Sequence, residues 1–301
     1  MPPRLGPDSG RFATGVLNVD KSAGETSFAV VNRLRRLTGA HRVGHAGTLD
    51  PLATGVLPVL FESATRLAEF ALKLPKTYVA EIHLGFVTAT DDAEAEPEQV
   101  ADPGGVTGRD VESALTAFSG RFLQRPPAYS AVKVDGKRAY ALAREGDANR
   151  PAPREVEVYS IALVDFQPPV ARIEVRCGSG TYLRSIARDL GEKLGVGGYL
   201  GKLVRTAYGS LRIEDAISSD ALGDAQSVRD GLLPAEVILP EMERVRLNVE
   251  QEAQVRQGRA VRVLPEPGPG QLRAHDAEGR LVALGHTDPL RRTFVPEKVL
   301  S

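Results

Sequence analysis

Gly44-His45-Ala46-Gly47-Thr48-Leu49-Asp50-Pro51-Leu52-Ala53-Thr54-Gly55-Val56-Leu57-Pro58-Val59 sets three glycines, two prolines, one histidine and one aspartate in an otherwise apolar run. Neither the spacing of an amphipathic helix nor the alternation of a half-buried strand is written that way, so the stretch reads as a shaped loop. Its glycines open backbone conformations closed to other residues, and Pro51 stiffens the chain just after the acid. The apolar flanks Leu49, Leu52, Val56, Leu57 and Val59 hold the loop to a core. A lone Asp-Pro pair would open a turn or cap a helix; set in this frame, Asp50 is expected to be presented rather than merely solvated.

Upstream, Gly15 to Lys21 reads as a short strand entering a turn. Thr26 or Ser27 then caps a helix on which Val30, Val31, Leu34 and Leu37 recur at helical spacing. Arg33, Arg35 and Arg36 lie mostly off that stripe, and Gly39 stops the helix. His41 and His45 stand four apart with Asp50 beyond, which invites a metal reading. That spacing aligns two histidines only on a helix, which Gly44 and Gly47 interrupt, and no cysteine or third well-spaced ligand is near; no metal is expected. Read without its neighbours, His45 is a loop histidine bonded to backbone.

Downstream, Thr65 to Leu74 is expected as one short amphipathic helix ended by Pro75. From Lys76 the chain alternates, with Tyr78, Ala80, Ile82, Leu84 and Phe86 on one face of a half-buried strand. An aromatic at the first end of such a strand, as Tyr78 is, serves either the core or a cleft. Thr88 to Gly108 is acid-rich, with Asp91, Asp92, Glu94, Glu96, Glu98 and Asp102, and reads as a surface loop before a helix capped near Asp110. Gln124 to Tyr140 interleaves Arg125, Lys133, Lys137 and Arg138 with Tyr129 and Tyr140, a pattern suited to running along phosphates and stacking on unpaired bases.

Val170 to Cys177 alternates as a strand, with Cys177 a core residue, and a Gly178-Ser179-Gly180 turn follows. A helix from about Thr181 to Gly195 is expected to bury Leu183, Ile186, Ala187, Leu190 and Leu194, leaving Tyr182 and Arg184 in its first turn, off that stripe. Helix N-termini favour acids, so an arginine there implies a specific partner, and Asp50 is the candidate. Asp220 to about Pro240 reads as a helical return and linker. Beyond it, Val245, Leu247 and Val249 alternate as a strand, a short helix runs to Gly258, Ala260 to Val263 forms a strand, Pro265 to Gly270 a loop, and a hairpin turns at Ala277-Glu278-Gly279.

Three of these stretches resemble the TruB family of pseudouridine synthases. Gly44 to Leu57 matches its catalytic signature G-H-x-G-x-L-D-P-x-A-x-G-x-L, and Gly180-Thr181-Tyr182-Leu183-Arg184-Ser185-Ile186 resembles its third motif. Gly15 to Ser27 resembles its N-terminal motif, with Ser22 where the family usually has proline. The resemblance, from about Gly15 to Thr206, implies an α+β pseudouridine synthase fold: a central mixed, mainly antiparallel sheet flanked by helices. It implies a catalytic domain over 1–240 with an RNA-gripping insertion at about 121–154, where Arg125, Lys133, Lys137 and Arg138 would contact RNA backbone. A small PUA-like RNA-binding barrel over 241–301 would follow. The implied reaction isomerises uridine 55 in the T-loop of tRNA, without cofactor. Asp50, Tyr78 and Arg184 would be catalytic, and His45, Tyr78, Tyr182 and Leu203 would bind the flipped nucleotide. The residues leave open whether Asp50 attacks ribose C1′, attacks uracil C6 or steers a sugar proton. Two other readings are a catalytically silent tRNA-binding or RNA-folding protein of the same fold, and a small-molecule hydrolase using Asp50 and His45.

The totals agree with an RNA enzyme only through their distribution. The 301 residues carry a formal charge of −1, which argues against a nucleic-acid partner on its face. Base nevertheless collects in Arg33, Arg35, Arg36 and Arg42 and again from Arg121 to Arg154, so a near-neutral sum can hide a basic face. At 42% hydrophobic and 26% charged residues, composition is that of a globular chain. A single cysteine, no apolar run long enough to span a bilayer and no apolar leader lead us to expect a cytoplasmic protein. The resemblance implies tRNA as its partner, and a monomer with no obligate protein partner is expected.

Overall fold

The computed structural model describes residues 12–129, 151–263, 268, 270–288 and 290–300, and the backbone alone of 133–134 and 137–138. Strand β1 (Gly15–Lys21) leads to helix α1 (Ser27–Thr38), whose two ends are written locally. Thr26 accepts the Ala29 N–H at the start, and Gly39 adopts a left-handed φ of 66° at the end. Strands β2 (Val43–His45) and β3 (Thr54–Phe61) flank the aspartate loop. The single helix expected from Thr65 to Leu74 is instead a 3₁₀ segment, Glu62–Leu67, followed by α2 (Ala68–Lys73).

Strand β4 (Lys76–Leu84) has the expected alternation but breaks at Gly85, where φ is 89°. The acid-rich stretch holds a short pair, β5 (Phe86–Val87) with β6 (Glu98–Gln99). It leads to α3 (Gly108–Leu115), capped by Thr107 and Asp110 in a reciprocal capping box. Then follow β7 (Gly120–Gln124), the backbone hairpin β8 (Lys133–Val134) and β9 (Lys137–Arg138), β10 (Arg154–Gln167), β11 (Val170–Cys177), α4 (Leu183–Lys193) and β12 (Gly198–Tyr208). Smaller elements close this body: β13 (Leu211–Arg212), β14 (Ile217–Ser218), α5 (Ala225–Asp230) and β15 (Leu232–Leu233).

The main sheet runs β14-β1-β3-β12-β4-β11-β10-β7. Its β1–β14 and β3–β12 pairings are parallel and the other pairings along this path antiparallel, so the mixed, mainly antiparallel sheet is as expected. Helices α1, α3 and α4 cover one face through a core that includes Val30, Leu34, Val111, Ile173, Val175, Ile186 and Leu190. A second cluster around Val56, Leu60, Leu67, Phe70 and Tyr208 extends to Ile238, Leu284 and Leu300. Cys177 is buried in the first cluster, and burial pushes its thiol up to about 11.

The C-terminal residues form a separate five-stranded sheet, ordered β16 (Glu243–Arg246), β18 (Gln271–His275), β19 (Leu281–Asp288), β20 (Thr293–Val299), β17 (Val261–Arg262). This curled sheet is consistent with the PUA-like unit expected. Val249 does not continue a strand: Asn248 and Gln251 form a capping box that starts α6 (Val249–Arg256). Most of the expected loop from Pro265 to Gly270 lies outside the described residues. The second sheet is tied to the first body through Arg66 to the Val299 carbonyl (2.5 Å), through an ion pair of Lys298 with Glu69 and through the contact of His275 Nε2 with the Glu236 carboxylate.

Candidate active site

The loop carrying Asp50 is held through its backbone from three directions. Ser27 Oγ accepts the Leu49 N–H at 2.9 Å and donates to the Leu49 carbonyl at 3.1 Å. The Pro51 carbonyl accepts from Gly24 N–H (2.9 Å) and from the fully buried Lys21 ammonium (3.3 Å). Arg205, 1% exposed, reaches up from β12 and donates to the Val56 carbonyl at 2.6 Å and the Gly47 carbonyl at 3.0 Å. Gly55 is obligatory beneath the loop: its φ is 101°, and a Cβ would stand 2.2 Å from the Arg205 carbonyl oxygen.

On this frame the Asp50 side chain keeps 40% exposure, and its Oδ2 lies 2.9 Å from Arg184 Nη2. Arg184 is the partner inferred from its place at a helix N-terminus, but it is not off the buried face as expected; it is buried. The reason is a second acid: Asp92 Oδ2 sits 3.4 Å from Arg184 Nη1, and the Thr90 carbonyl accepts from the same nitrogen. Asp92, 1% exposed, is itself oriented by the Thr90 hydroxyl (2.5 Å) and the Glu94 N–H (3.0 Å) on its Oδ1. Glu94 joins this acidic rim, its carboxyl pushed up by partial burial and by Asp92 and Asp50. Arg184 thus bridges a presented carboxylate and a buried one, so its direction is fixed from behind.

The first turn of α4 is anchored in turn by Gln124. Its buried amide accepts the Tyr182 N–H (2.9 Å) and donates to the Tyr182 carbonyl (3.0 Å). Ser185 Oγ and Arg188 both donate to the Arg125 carbonyl, at 2.8 and 3.0 Å, which brings the exposed Arg125 beside this helix.

Strand register supplies the floor. On β12 and β4, Leu203 pairs with Ala80 and Arg205 with Tyr78, so these four side chains share one face. A register shift between Arg205 and Ala207 puts Tyr208 opposite Lys76, and both cations lie over the Tyr208 ring, at 5.1 and 4.9 Å. Burial raises the Tyr78 phenol, with the Arg205 guanidinium opposing the rise. Burial likewise lowers Lys76 to about 8 and, with Arg205, lowers His45. His45 sits at the end of β2, with its Nδ1 buried and unbonded.

The family model for the TruB family pseudouridylate synthase N-terminal domain matches residues 35–183, and that for the tRNA pseudouridylate synthase B C-terminal domain matches 184–244. The tRNA pseudouridine synthase B of Solibacter usitatus is 40% identical over 277 residues, 90% of this chain and 94% of that one. Its counterpart from Dehalococcoides mccartyi is 41% identical over 273 residues, 90% and 91% of the two chains. The chain belongs to the TruB family of pseudouridylate synthases. Among solved structures, a Cbf5-Nop10-Gar1 complex contains a chain sharing the fold at TM-score 0.70 and 26% identity, over 95% of this chain and 85% of that one.

Of the residues singled out in sequence, Asp50 and Arg184 meet directly, while Tyr78 and Leu203 lie on the sheet face beneath the loop and Tyr182 at the head of α4. The side chains of Lys133, Lys137 and Arg138 lie outside the described residues. Asp92 and Arg205 carry no local signal in the sequence. Asp92 stands in a run of acids and Arg205 in an alternating strand, and only the fold buries them. Among the described residues, no three His, Cys, Asp or Glu side chains converge as a metal site would require, and no helix is long and apolar enough to cross a membrane.

Proposed function

We propose that this TruB-family chain isomerises uridine 55 in the T-loop of tRNA to pseudouridine, with Asp50 as the catalytic carboxylate. The observation that carries the reading is Asp50 itself. An aspartate on a backbone-pinned loop, 40% exposed and 2.9 Å from a buried arginine, is aimed, paired with a cation and accessible. A binding protein has little use for such a group against a phosphate-rich ligand.

In the reaction the N1–C1′ bond breaks, the detached uracil turns, and C5 bonds to C1′. C5 loses its proton while N1 gains one, so no electron leaves or enters and no cofactor is called for. The base must first leave its stacked loop, at a cost of roughly a few kcal/mol. His45, held neutral by burial, then suits the vacated space or the neighbours of the flipped nucleotide. Tyr78 and Leu203 form the apolar bed on which the uracil lies between its two bonds, shielded from water, with Tyr182 completing the pocket. The high-lying Tyr78 phenol stays protonated and can relay the C5 proton. Arg125, with Lys133, Lys137 and Arg138, would hold the loop backbone. Residues 1–240 would form the catalytic domain and 241–301 a unit that extends the RNA contact.

The test compares the wild type with Asp50→Asn on an unmodified tRNA transcript, scoring pseudouridine at position 55 and tRNA affinity in parallel. Activity lost with affinity kept is the expected result. An active Asn variant would remove Asp50 from the chemistry, and an inactive wild type that still binds would leave an RNA-binding protein of the same fold.

A further inference from the structure

Helix α1 lies along the arm that leads into Asp50. At its first residue Ser27 is bonded to both backbone groups of Leu49, and near its end Arg35 Nη2 donates to the Val43 carbonyl at 2.9 Å. The face turned to the core carries Val30, Val31 and Leu34. The opposite stripe, Phe28, Asn32, Arg35 and Arg36, follows i, i+4, i+7 and i+8 spacing, so it forms one ledge parallel to residues 43–49.

That ledge is unusual in two respects. Phe28 is 64% exposed, whereas each of the other eight phenylalanines is buried or half-buried. The helix also carries no acidic residue, and exposed Arg36 is followed past the helix end by exposed His41 and Arg42. The nearest acid at the other end, Glu25, is paired with Arg33 at 3.0 Å and accepts from Ser219. Near the far end, the Glu62 carboxylate accepts the His41 N–H at 2.8 Å. An open aromatic followed by cations, continuous with the rim of the Asp50 loop, is complementary to a single nucleic-acid strand: a π-face for a base and charge for the phosphates beyond it.

We propose that the α1 ledge is a substrate-RNA contact surface, on which Phe28 stacks with an unpaired base next to the target uridine while Arg36 and Arg42 take the adjoining phosphates. The proposal rests on the tRNA reading above and adds to it a second strand contact, distinct from the insertion and from the C-terminal unit.

The experiment measures tRNA modification kinetics and filter-binding affinity across a salt series for the wild type, Phe28→Ala, Phe28→Trp and Arg36→Gln/Arg42→Gln. Loss of one stacking platform weakens Phe28→Ala binding about 5- to 150-fold. The effect falls on KM rather than kcat, leaves the salt slope as it was, and is rescued by Phe28→Trp. The double arginine variant weakens binding and flattens the plot of log K against log salt by roughly 0.7 to 0.9 per phosphate released. An active wild type whose variants bind and turn over alike overturns this proposal alone. So does a Phe28→Ala defect confined to kcat, because it marks a role in holding the loop. A wild type that neither binds nor modifies tRNA overturns the functional reading and this proposal together.

Discussion

Replacing Arg205 by methionine tests whether the aspartate loop is held from beneath by that one guanidinium. Arg205 donates to the Val56 carbonyl, which is fully buried, and to the Gly47 carbonyl, which is partly so. Methionine fills much of the same volume without either donor. Leaving the first carbonyl unpaired costs about 2–3 kcal/mol and the second about 1 kcal/mol. Against this, a buried cation is removed that has no carboxylate within ion-pair distance among the described residues, which returns about 1 kcal/mol of desolvation. The net loss is about 2–3 kcal/mol, which lowers Tm by roughly 3–5 °C in a chain of this size.

The catalytic loss is expected to exceed the stability loss. Both arms of the loop, at Gly47 and Val56, lose their tie to β12, and a shift of about 1 Å at Asp50 is worth about 10²-fold in rate. Single-turnover kinetics at a temperature where the variant is folded should therefore show kcat down by about that factor. Arg205→Lys should fall between the two, since one ammonium on a flexible stem reproduces two fixed donors poorly. A methionine variant melting within about 2 °C of the wild type and turning over within about threefold of it would refute the argument, because the loop would then be self-supporting.

Asp92→Asn keeps the oxygen that accepts from Thr90 and Glu94 but replaces the charge facing Arg184 with an amide. Removing one partner of a buried ionic network should cost about 2–4 kcal/mol. The Arg184 it frees should turn fully onto Asp50, lowering kcat with KM little changed, as melts and steady-state kinetics would record. Lys76 predicts an alkaline signature: its ammonium is lowered to about 8 in the fold against an ordinary value of 10.5. As pH rises from about 8 towards 10, the folded lysine is already neutral while the unfolded one still binds its proton, so this group adds stability through that window. The difference in denaturant midpoint between wild type and Lys76→Met should therefore grow in the wild type's favour from pH 8 to 9.5, and a flat difference would remove Lys76 as the titrating group.

Features encoded within a few residues were legible in the sequence. Thr26 and Gly39 mark the ends of α1 because caps are local chemistry, and β4 declares itself by alternation until Gly85 breaks it. The capping box of Asn248 and Gln251 is equally local, but it competes with the alternation of Val245, Leu247 and Val249, and the side-chain bonds to the helix start decide in its favour. Arg184 announced a partner through a conflict with its own helix, and that conflict pointed across the fold to Asp50. Asp92 and Arg205 offered no such conflict. An aspartate among acids and an arginine in an alternating strand look solvated until topology places them.

The topology that places Arg205 is the parallel pairing of β12 with the start of β3, which joins residues 150 apart and needs Gly55 where a side chain would strike the Arg205 carbonyl. The glycine in the loop is thus the near half of a contact whose far half is the buried arginine. Seen this way, the aspartate loop and β12 are one device. Gly55 lets the strand approach, Arg205 ties both arms of the loop to it, and β12 continues through Leu203 into the floor beneath the presented carboxylate.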